Sequence, residues 1–350
     1  MFRLIKFMGF LVLFLVFFLE LKAQESATTK KPTYYDTTYI RQYRNKWCIT
    51  FIGSKRDFFI NITNPLSSKQ TLTYSPKNHY GWGIGLDYKW FTLEFVKRVN
   101  LNTSPAQNYL WKNNFGIRLG LTRQKIWFNS FYQQYKGMNV NFVGDSLDKV
   151  SIANLPTSRN DIFTYSLHLS LNYGFNHRKY SQMAALWQID RQLKSAGTVI
   201  AGLSSFIYHI KADSTLVPTK LNRYFNRESQ VVKSVTKKIG INIGYAHNFI
   251  IREQFFIHLS FIPSIAYQYR RYDLVKSEDL IAKGLSLSTE ARFIIGYNGE
   301  KWYGGFALTN YSFTENSPVK GAGAVLTYNF FRWFIGFRFK PLFKTPILDR

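Results

Sequence analysis

An all-β chain wound into a closed, transmembrane antiparallel β-barrel of about 14 strands is the fold this sequence predicts, and three observations predict it. The first is alternation. Within residues 80 to 97, Trp82, Ile84, Leu86, Tyr88 and Trp90 fall on one face of a strand, and Gly81, Gly83, Gly85, Asp87 and Lys89 on the other. The second is composition. Aromatic residues make up 18% of the chain and charged residues 19%, fewer charges than an ordinary soluble domain carries, yet mean hydropathy is only -0.19. Apolar residues alternating with polar ones satisfy both numbers, and membrane-spanning helices do not. The third is the start of the chain. Arg3 and Lys6 precede an apolar run of 13 residues from position 7 to 19, and Ala23 offers a small residue for cleavage before Gln24. That is the pattern of an export signal, since 13 residues are too few to span a bilayer as an anchor.

Taken in order, residues 1–23 read as the signal, 24–45 as a polar periplasmic lead-in, 46–340 as the barrel and 341–350 as a tail. Residues 46–63 are strand-like, with one long strand and a hairpin both open as readings. Pro65 and Pro76 mark residues 64–78 as a loop, after which residues 80–97 form the opening hairpin. Residues 98–112 read as a loop. The alternation then recurs with Phe115, Ile117, Leu119 and Leu121 against Gly116, Arg118 and Gly120. A strand at 126–135 leads to a polar loop at 136–160, and residues 163–173 are long enough to cross a bilayer core in one pass. Strands at 180–190 and 197–209 flank the compact segment 191–196. The insertion at 211–235 carries one short helix starting at Pro218, with Leu221, Tyr224 and Phe225 on one face. Further strands cover 239–246, 255–268, 284–297, 301–312, 321–329 and 333–339, with tight turns near 251–253 and at the pair Asn298-Gly299. An even count suits a single-chain barrel with both termini on one side, and 12 is the alternative if two weak segments are loops.

Several of these segments resemble a known family. Tyr74-Ser75-Pro76-Lys77-Asn78 leading into Gly83-Ile84-Gly85-Leu86-Asp87-Tyr88-Lys89-Trp90-Phe91 carries the likeness, with Arg191-Gln192-Leu193-Lys194-Ser195-Ala196-Gly197, Gly296-Tyr297-Asn298-Gly299 and Gly336-Phe337-Arg338-Phe339. The chain resembles an uncharacterised family of outer-membrane barrel proteins from Bacteroidota catalogued as domain of unknown function 4421. The resemblance implies an outer-membrane barrel and supplies no activity and no catalytic residues.

The charge pattern limits the partners. Formal net charge is +26, falling to +24 once Arg3, Lys6, Lys22 and Glu20 leave with the signal. In an exported chain such an excess points away from nucleic acid and towards outer-membrane lipids including lipopolysaccharide, or small anionic solutes. The barrel-assembly machinery is the expected partner during insertion. The single cysteine, Cys48, has no internal disulfide partner. The six histidines show no metal-ligand spacing, and no cofactor motif is expected. Gly81-Trp82-Gly83-Ile84-Gly85 lies inside a strand rather than between a strand and a helix, so its glycines serve a crowded interior instead of a dinucleotide.

Strand parity turns Leu119, Leu169 and Ile241 outward. It turns a polar set inward: Asp87, Glu94, Arg118, His168, Glu290, Arg292 and Arg338, together with Lys89 and Lys340. These residues read as an ionic lining that holds the wall, or as a selectivity region for anions. The expected role is non-enzymatic: a narrow channel, a transport component or a structural envelope protein. Two alternatives stand beside it, an envelope enzyme acting on lipid or peptide with His168 as an intrabarrel site, and a surface adhesion module using the loops at 136–160 and 211–235.

Overall fold

The computed structural model describes residues 35–64, 67–77, 79–99, 114–123, 125–143, 156–225, 231–275, 278–315 and 324–341. The expected export signal, the first half of the lead-in and the tail beyond 341 lie outside the described residues. Fifteen strands follow in order: β1 (Ile40–Gln42), β2 (Trp47–Asn64), β3 (Ser67–Pro76), β4 (Tyr80–Tyr88), β5 (Phe91–Val99), β6 (Phe115–Thr122), β7 (Ile126–Val143), β8 (Ser158–Gly174), β9 (Asp190–Gln192), β10 (Ala196–Lys211), β11 (Val231–Ile251), β12 (Phe255–Leu274), β13 (Leu280–Asn298), β14 (Trp302–Glu315) and β15 (Ala324–Phe339).

Antiparallel pairing joins β2, β4 to β8 and β10 to β15 into a ring of twelve, completed where β15 pairs β2 from Phe339↔Trp47 to Leu326↔Ile60. The end bearing Trp47 and Phe339 is the lower end. Above the short strands β4, β5 and β6, β3 takes their place, pairing β2 through Ile60↔Tyr74 and β7 through Tyr74↔Val140. At that level the wall consists of β2, β3, β7, β8 and β10 to β15, ten strands.

The period-two pattern makes this wall inside-out relative to a water-soluble sheet. On β8, Thr164, Ser166, His168, Ser170 and Asn172 are buried towards the lumen. One register row, Leu203↔Ile241↔Ile265↔Leu287, points outward with exposures of 56%, 61%, 59% and 60%. Aromatic rings border this aliphatic face, with Phe255 and Trp302 exposed near the lower end and Tyr80, Trp82 and Tyr267 higher up. Leu169 is half-buried on the outward side. Leu119 shares its register with Leu93 and Ser130 but is only 2% exposed, so the exposed apolar face of β2, β4, β5 and β10 to β15 is interrupted there on β6.

The expectation of 14 wall strands is corrected to twelve at two places. Residues 180–190 leave the wall: Gln182–Leu186 is a five-residue helix, α1, and only Asp190–Gln192 is extended, paired with β1 in a separate two-stranded sheet. Residues 324–329 and 333–339 belong to a single strand, because β15 runs unbroken through Phe330, Phe331 and Arg332, and residues 321–323 of the expected strand lie outside the described residues. Within residues 64–78, expected to be loop, β3 forms instead. The helix expected after Pro218 is a 3-10 turn at Thr219–Tyr224, opened by a bond from the Leu221 amide to the Pro218 carbonyl and burying Leu221 and Phe225. The tight turn after β11 is present as three residues, Arg252, Glu253 and Gln254, between the paired Ile251 and Phe255, with Arg252 and Glu253 at positive φ of 47° and 60°.

The upper lumen is filled by side chains. Phe58, Tyr74, Phe131, Phe206, Phe313 and Tyr328 form one buried cluster, and Leu216, Val217, Leu221 and Phe225 from the β10–β11 connection pack into it.

Candidate functional site

The lower lumen is filled by the chain itself. Every residue from 180 to 192 is buried, although none belongs to the wall; this segment is the plug. Its helix begins at Ser181, whose hydroxyl oxygen accepts from the Ala184 amide at 3.2 Å while its hydroxyl proton goes to Asp190 at 2.8 Å. Met183, Leu186, Trp187 and Ile189 pack against Cys48, Phe256, Ile294 and Phe334 of the wall. The lead-in buttresses the plug from below: β1 pairs β9, the Tyr43 amide donates to the Ile189 carbonyl at 2.9 Å, and Arg44 reaches Asp190 at 3.3 Å.

Burying so much backbone requires polar partners from the wall, and three strands supply them. Asn248 on β11 donates to the Ser181 carbonyl at 3.0 Å, and its own amide oxygen lies 2.8 Å from His258 Nδ1. Asn298 at the end of β13 donates to the carbonyls of Ala184 and Asp190 at 3.3 and 3.0 Å. Arg338 on β15, 2% exposed, donates to the carbonyls of Gln188 and Gly299 and to Asn298 Oδ1, with Tyr43 and Tyr303 rings against its guanidinium. Arg191, within the Arg-Gln-Leu-Lys-Ser-Ala-Gly motif, donates to the Glu253 carbonyl in the β11–β12 turn.

Above the plug lies an arginine-rich cluster. Gly81, Gly83 and Gly85 leave the inward face of β4 without side chains. A methyl on Gly81 would meet Arg98 Nη1 at 2.8 Å, and one on Gly85 would meet Glu94 Cγ at 3.2 Å, so both side chains lie across that bare strip. Glu94, 2% exposed, holds Arg118 at 3.0 Å and Arg332 at 2.5 Å. Arg118 stacks over the plug's Trp187, its guanidinium 4.6 Å from the ring centroid. Arg98 donates to Ser54 at 2.9 Å, and Arg56 lies over Phe330.

The seven inward residues named from the sequence therefore fall into three groups. Asp87, Glu94 and Arg118 belong to the arginine-rich cluster. Glu290 and Arg292 pair at 2.6 Å across the lumen from His168, and Arg338 belongs to the plug's anchor. His168 is stacked on Phe131 and close to Tyr311, each at 5.2 Å between ring centroids. Among the described residues its partners are rings, with no acid or hydroxyl bonded to it. Two residues of the wider set are corrected: Lys89 sits in the β4–β5 turn at φ 53°, and Lys340 is exposed beyond β15. Sequence reading missed Arg56, Arg98 and Arg332 on the wall and Asn248 and Asn298 at the plug. Each lies at an inward parity position of its strand, and that signal was lost where residues 98 and 332 were assigned to connections.

Two cavities lie within the described interior. One, of about 30 Å³, is lined by His168, Lys238, Asn242 and Glu290, and the other, of about 40 Å³, by Arg56, Arg118, Arg332 and Leu186. A larger hollow of about 750 Å³ is lined mainly by outward residues, including Phe249, Leu259, Phe261, Phe293 and Phe331, and belongs to the apolar exterior. No group of three His, Cys, Asp or Glu among the described residues is arranged to hold a metal.

The model of the family described as "Domain of unknown function (DUF4421)" matches residues 34–339. The chain belongs to that family. The match covers residues 34–45 of the lead-in, the plug and the whole ring. No curated protein is similar to the chain. Among solved structures, the outer membrane protease OmpT from Escherichia coli is 8% identical, with a TM-score of 0.38 over 85% of this chain and 98% of its own. The COG4313 outer membrane channel from Pseudomonas putida F1 is 10% identical, with a TM-score of 0.31 over 89% and 100%. The translocator domain of autotransporter NalP from Neisseria meningitidis is 7% identical, with a TM-score of 0.30 over 83% and 88%. Likeness at these levels carries no argument about activity.

Proposed function

We propose that this chain is a non-enzymatic outer-membrane β-barrel whose lumen is filled, an envelope protein stoppered at its periplasmic end by its own plug. One observation carries the reading: residues 180–192 are wholly buried inside the ring and anchored by Asn248, Asn298 and Arg338. The outward aliphatic face bordered by aromatic rings suits a bilayer, and the basic start with its apolar run suits export and cleavage near Ala23. Above Ile239 and Leu285, Lys237 and Lys283 flank Tyr269 in one register row, which suits contact with phosphorylated lipid.

The test is conductance. The refolded mature chain in a planar bilayer is expected to show no steady current, and a variant with residues 182–189 replaced by a Gly-Ser linker of equal length is expected to stay silent, because the aromatic cluster above remains, while its Cys48 beside the plug becomes open to a small water-soluble maleimide. A wild-type chain that conducts steadily contradicts the filled lumen, and a Cys48 that labels no faster in the linker variant contradicts the plug as its stopper.

A further inference from the structure

The arginine-rich cluster is out of electrostatic balance. Four guanidinium groups, Arg56, Arg98, Arg118 and Arg332, face two carboxylates, Glu94 and Asp87, and Glu94 already holds Arg118 and Arg332. Arg56 and Arg98 make no ion pair among the described residues, and they are 6% and 0% exposed. Their donors are not used up either. Arg56 Nη1, Arg98 Nε and Nη2, and Arg332 Nε are buried with no hydrogen-bond partner among the described residues, as are both amide atoms of Gln133 and the Tyr135 hydroxyl. These groups converge: a methyl placed on Gly116 would lie 2.8 Å from Arg56 Nη1 and 3.6 Å from Arg98 Nη2, and Gln133 is the register partner of Gly116. Buried cations and unmet donors of this kind are strongly unfavourable unless something supplies charge and lone pairs.

The 40 Å³ cavity adjoins them. Its lining includes Arg56, Arg118 and Arg332 with Ser54, Thr309 and Tyr311, and the plug's Leu186 also borders it. A single water needs about 10 to 15 Å³ measured this way, so the space suits about three waters or one small anion. Planar guanidinium forks match the edges of an oxyanion, and the hydroxyls add neutral donors.

We propose that this cavity is a binding site for a small oxyanion, a phosphate or a carboxylate, held chiefly by Arg56 and Arg332 with Arg98 behind them. The anion balances the cluster and, through Arg118 on Trp187 and Leu186 at the cavity edge, favours the seated plug. The site stands on its own geometry whether or not the barrel conducts.

Inorganic phosphate is the probe. The refolded mature chain in detergent is heated at increasing phosphate, with ionic strength held constant by sodium chloride. The unfolding midpoint of the wild type is expected to rise with the logarithm of phosphate once the site saturates. Arg56→Gln is expected to lose that dependence, and Lys125→Gln, exposed in the β6–β7 turn, to keep it. Equal phosphate dependence in wild type and Arg56→Gln, or none in the wild type, overturns the proposal. So does a midpoint that responds to chloride against gluconate but not to phosphate, which would assign a halide. Should Arg56→Gln fail to refold, crystals of the wild type soaked in arsenate decide: an anomalous peak between Arg56 and Arg332 is expected, and peaks confined to the surface overturn the site.

Discussion

Replacing Arg338 with alanine removes a buried cation that bonds both the plug and the turn below it. The side chain is 2% exposed and donates to the carbonyls of Gln188 and Gly299 and to Asn298 Oδ1. Each buried acceptor left unpaired costs about 1 to 3 kcal/mol, and truncating one member of a buried charged network typically costs about 3 to 5 kcal/mol in total. An intermediate figure of about 4 kcal/mol is the expectation, concentrated on the plug because the wall's backbone ladder is untouched. Arg338→Lys keeps the charge and loses the fork, and about half that loss is expected. Hydrogen exchange of the refolded chain reads the effect at two amides tied to the plug: Tyr43, bonded to Ile189, and Leu193, bonded to Tyr39. A local loss of about 4 kcal/mol speeds their exchange on the order of a thousandfold, while wall amides in the middle of β12 stay protected. Unchanged exchange at Tyr43 and Leu193, or acceleration in step with β12, would refute the assignment of Arg338 as the plug's anchor.

Three further outcomes follow from the wall and the lead-in. Ile241→Arg and Leu287→Arg, both outward and about 60% exposed, should each cost about 2 to 4 kcal/mol in vesicles if near the bilayer midplane, read by reversible denaturant unfolding. Gly83→Ala should cost about 2 kcal/mol because its new methyl meets the Phe95 carbonyl at 2.2 Å. Gly85→Ala should cost under about 1 kcal/mol, since its nearest neighbours are side chains at 3.2 and 3.3 Å. Asp36, in the exposed turn before β1, accepts from the Thr38 hydroxyl and amide, and these bonds hold its carboxyl below the ordinary 3.8. A depressed carboxyl stabilises fully above the ordinary value and loses that contribution as pH falls through the lowered one. The turn's amide protection should thus be flat from pH 7 down to about 4 and fall only below it, and Asp36→Asn should abolish the acid step.

The wall was legible in the sequence because its outward positions are aliphatic or aromatic and its inward ones polar over many consecutive pairs, as at Ile239, Ile241 and Ile243 on β11. The plug was not. Met183, Ala185, Trp187 and Ile189 mimic the same period of two, and a segment buried on all sides has no solvent face to break the pattern. Arg332 hid a strand for the opposite reason: an arginine beside Phe330 and Phe331 reads as a break until its partner Glu94, far away in sequence, is known. The partners of Arg56 and Arg98 were equally invisible, since Gly81 and Gly116 advertise room without saying which side chain fills it.

The native Cys48 offers the most direct test of the filled lumen. It is the chain's single cysteine, is 0% exposed, and lies on the inward face of β2 among Met183, Leu186, Trp187 and Ile189 of the plug. Refolded into lipid vesicles and challenged with a small water-soluble maleimide, wild-type protein should label at least a hundredfold more slowly than in denaturant, about the factor expected if labelling needs an opening of roughly 3 kcal/mol. Labelling of Cys48 in the folded, lipid-embedded chain at the rate of the unfolded thiol would mean water reaches the lower lumen freely, and would contradict the plug.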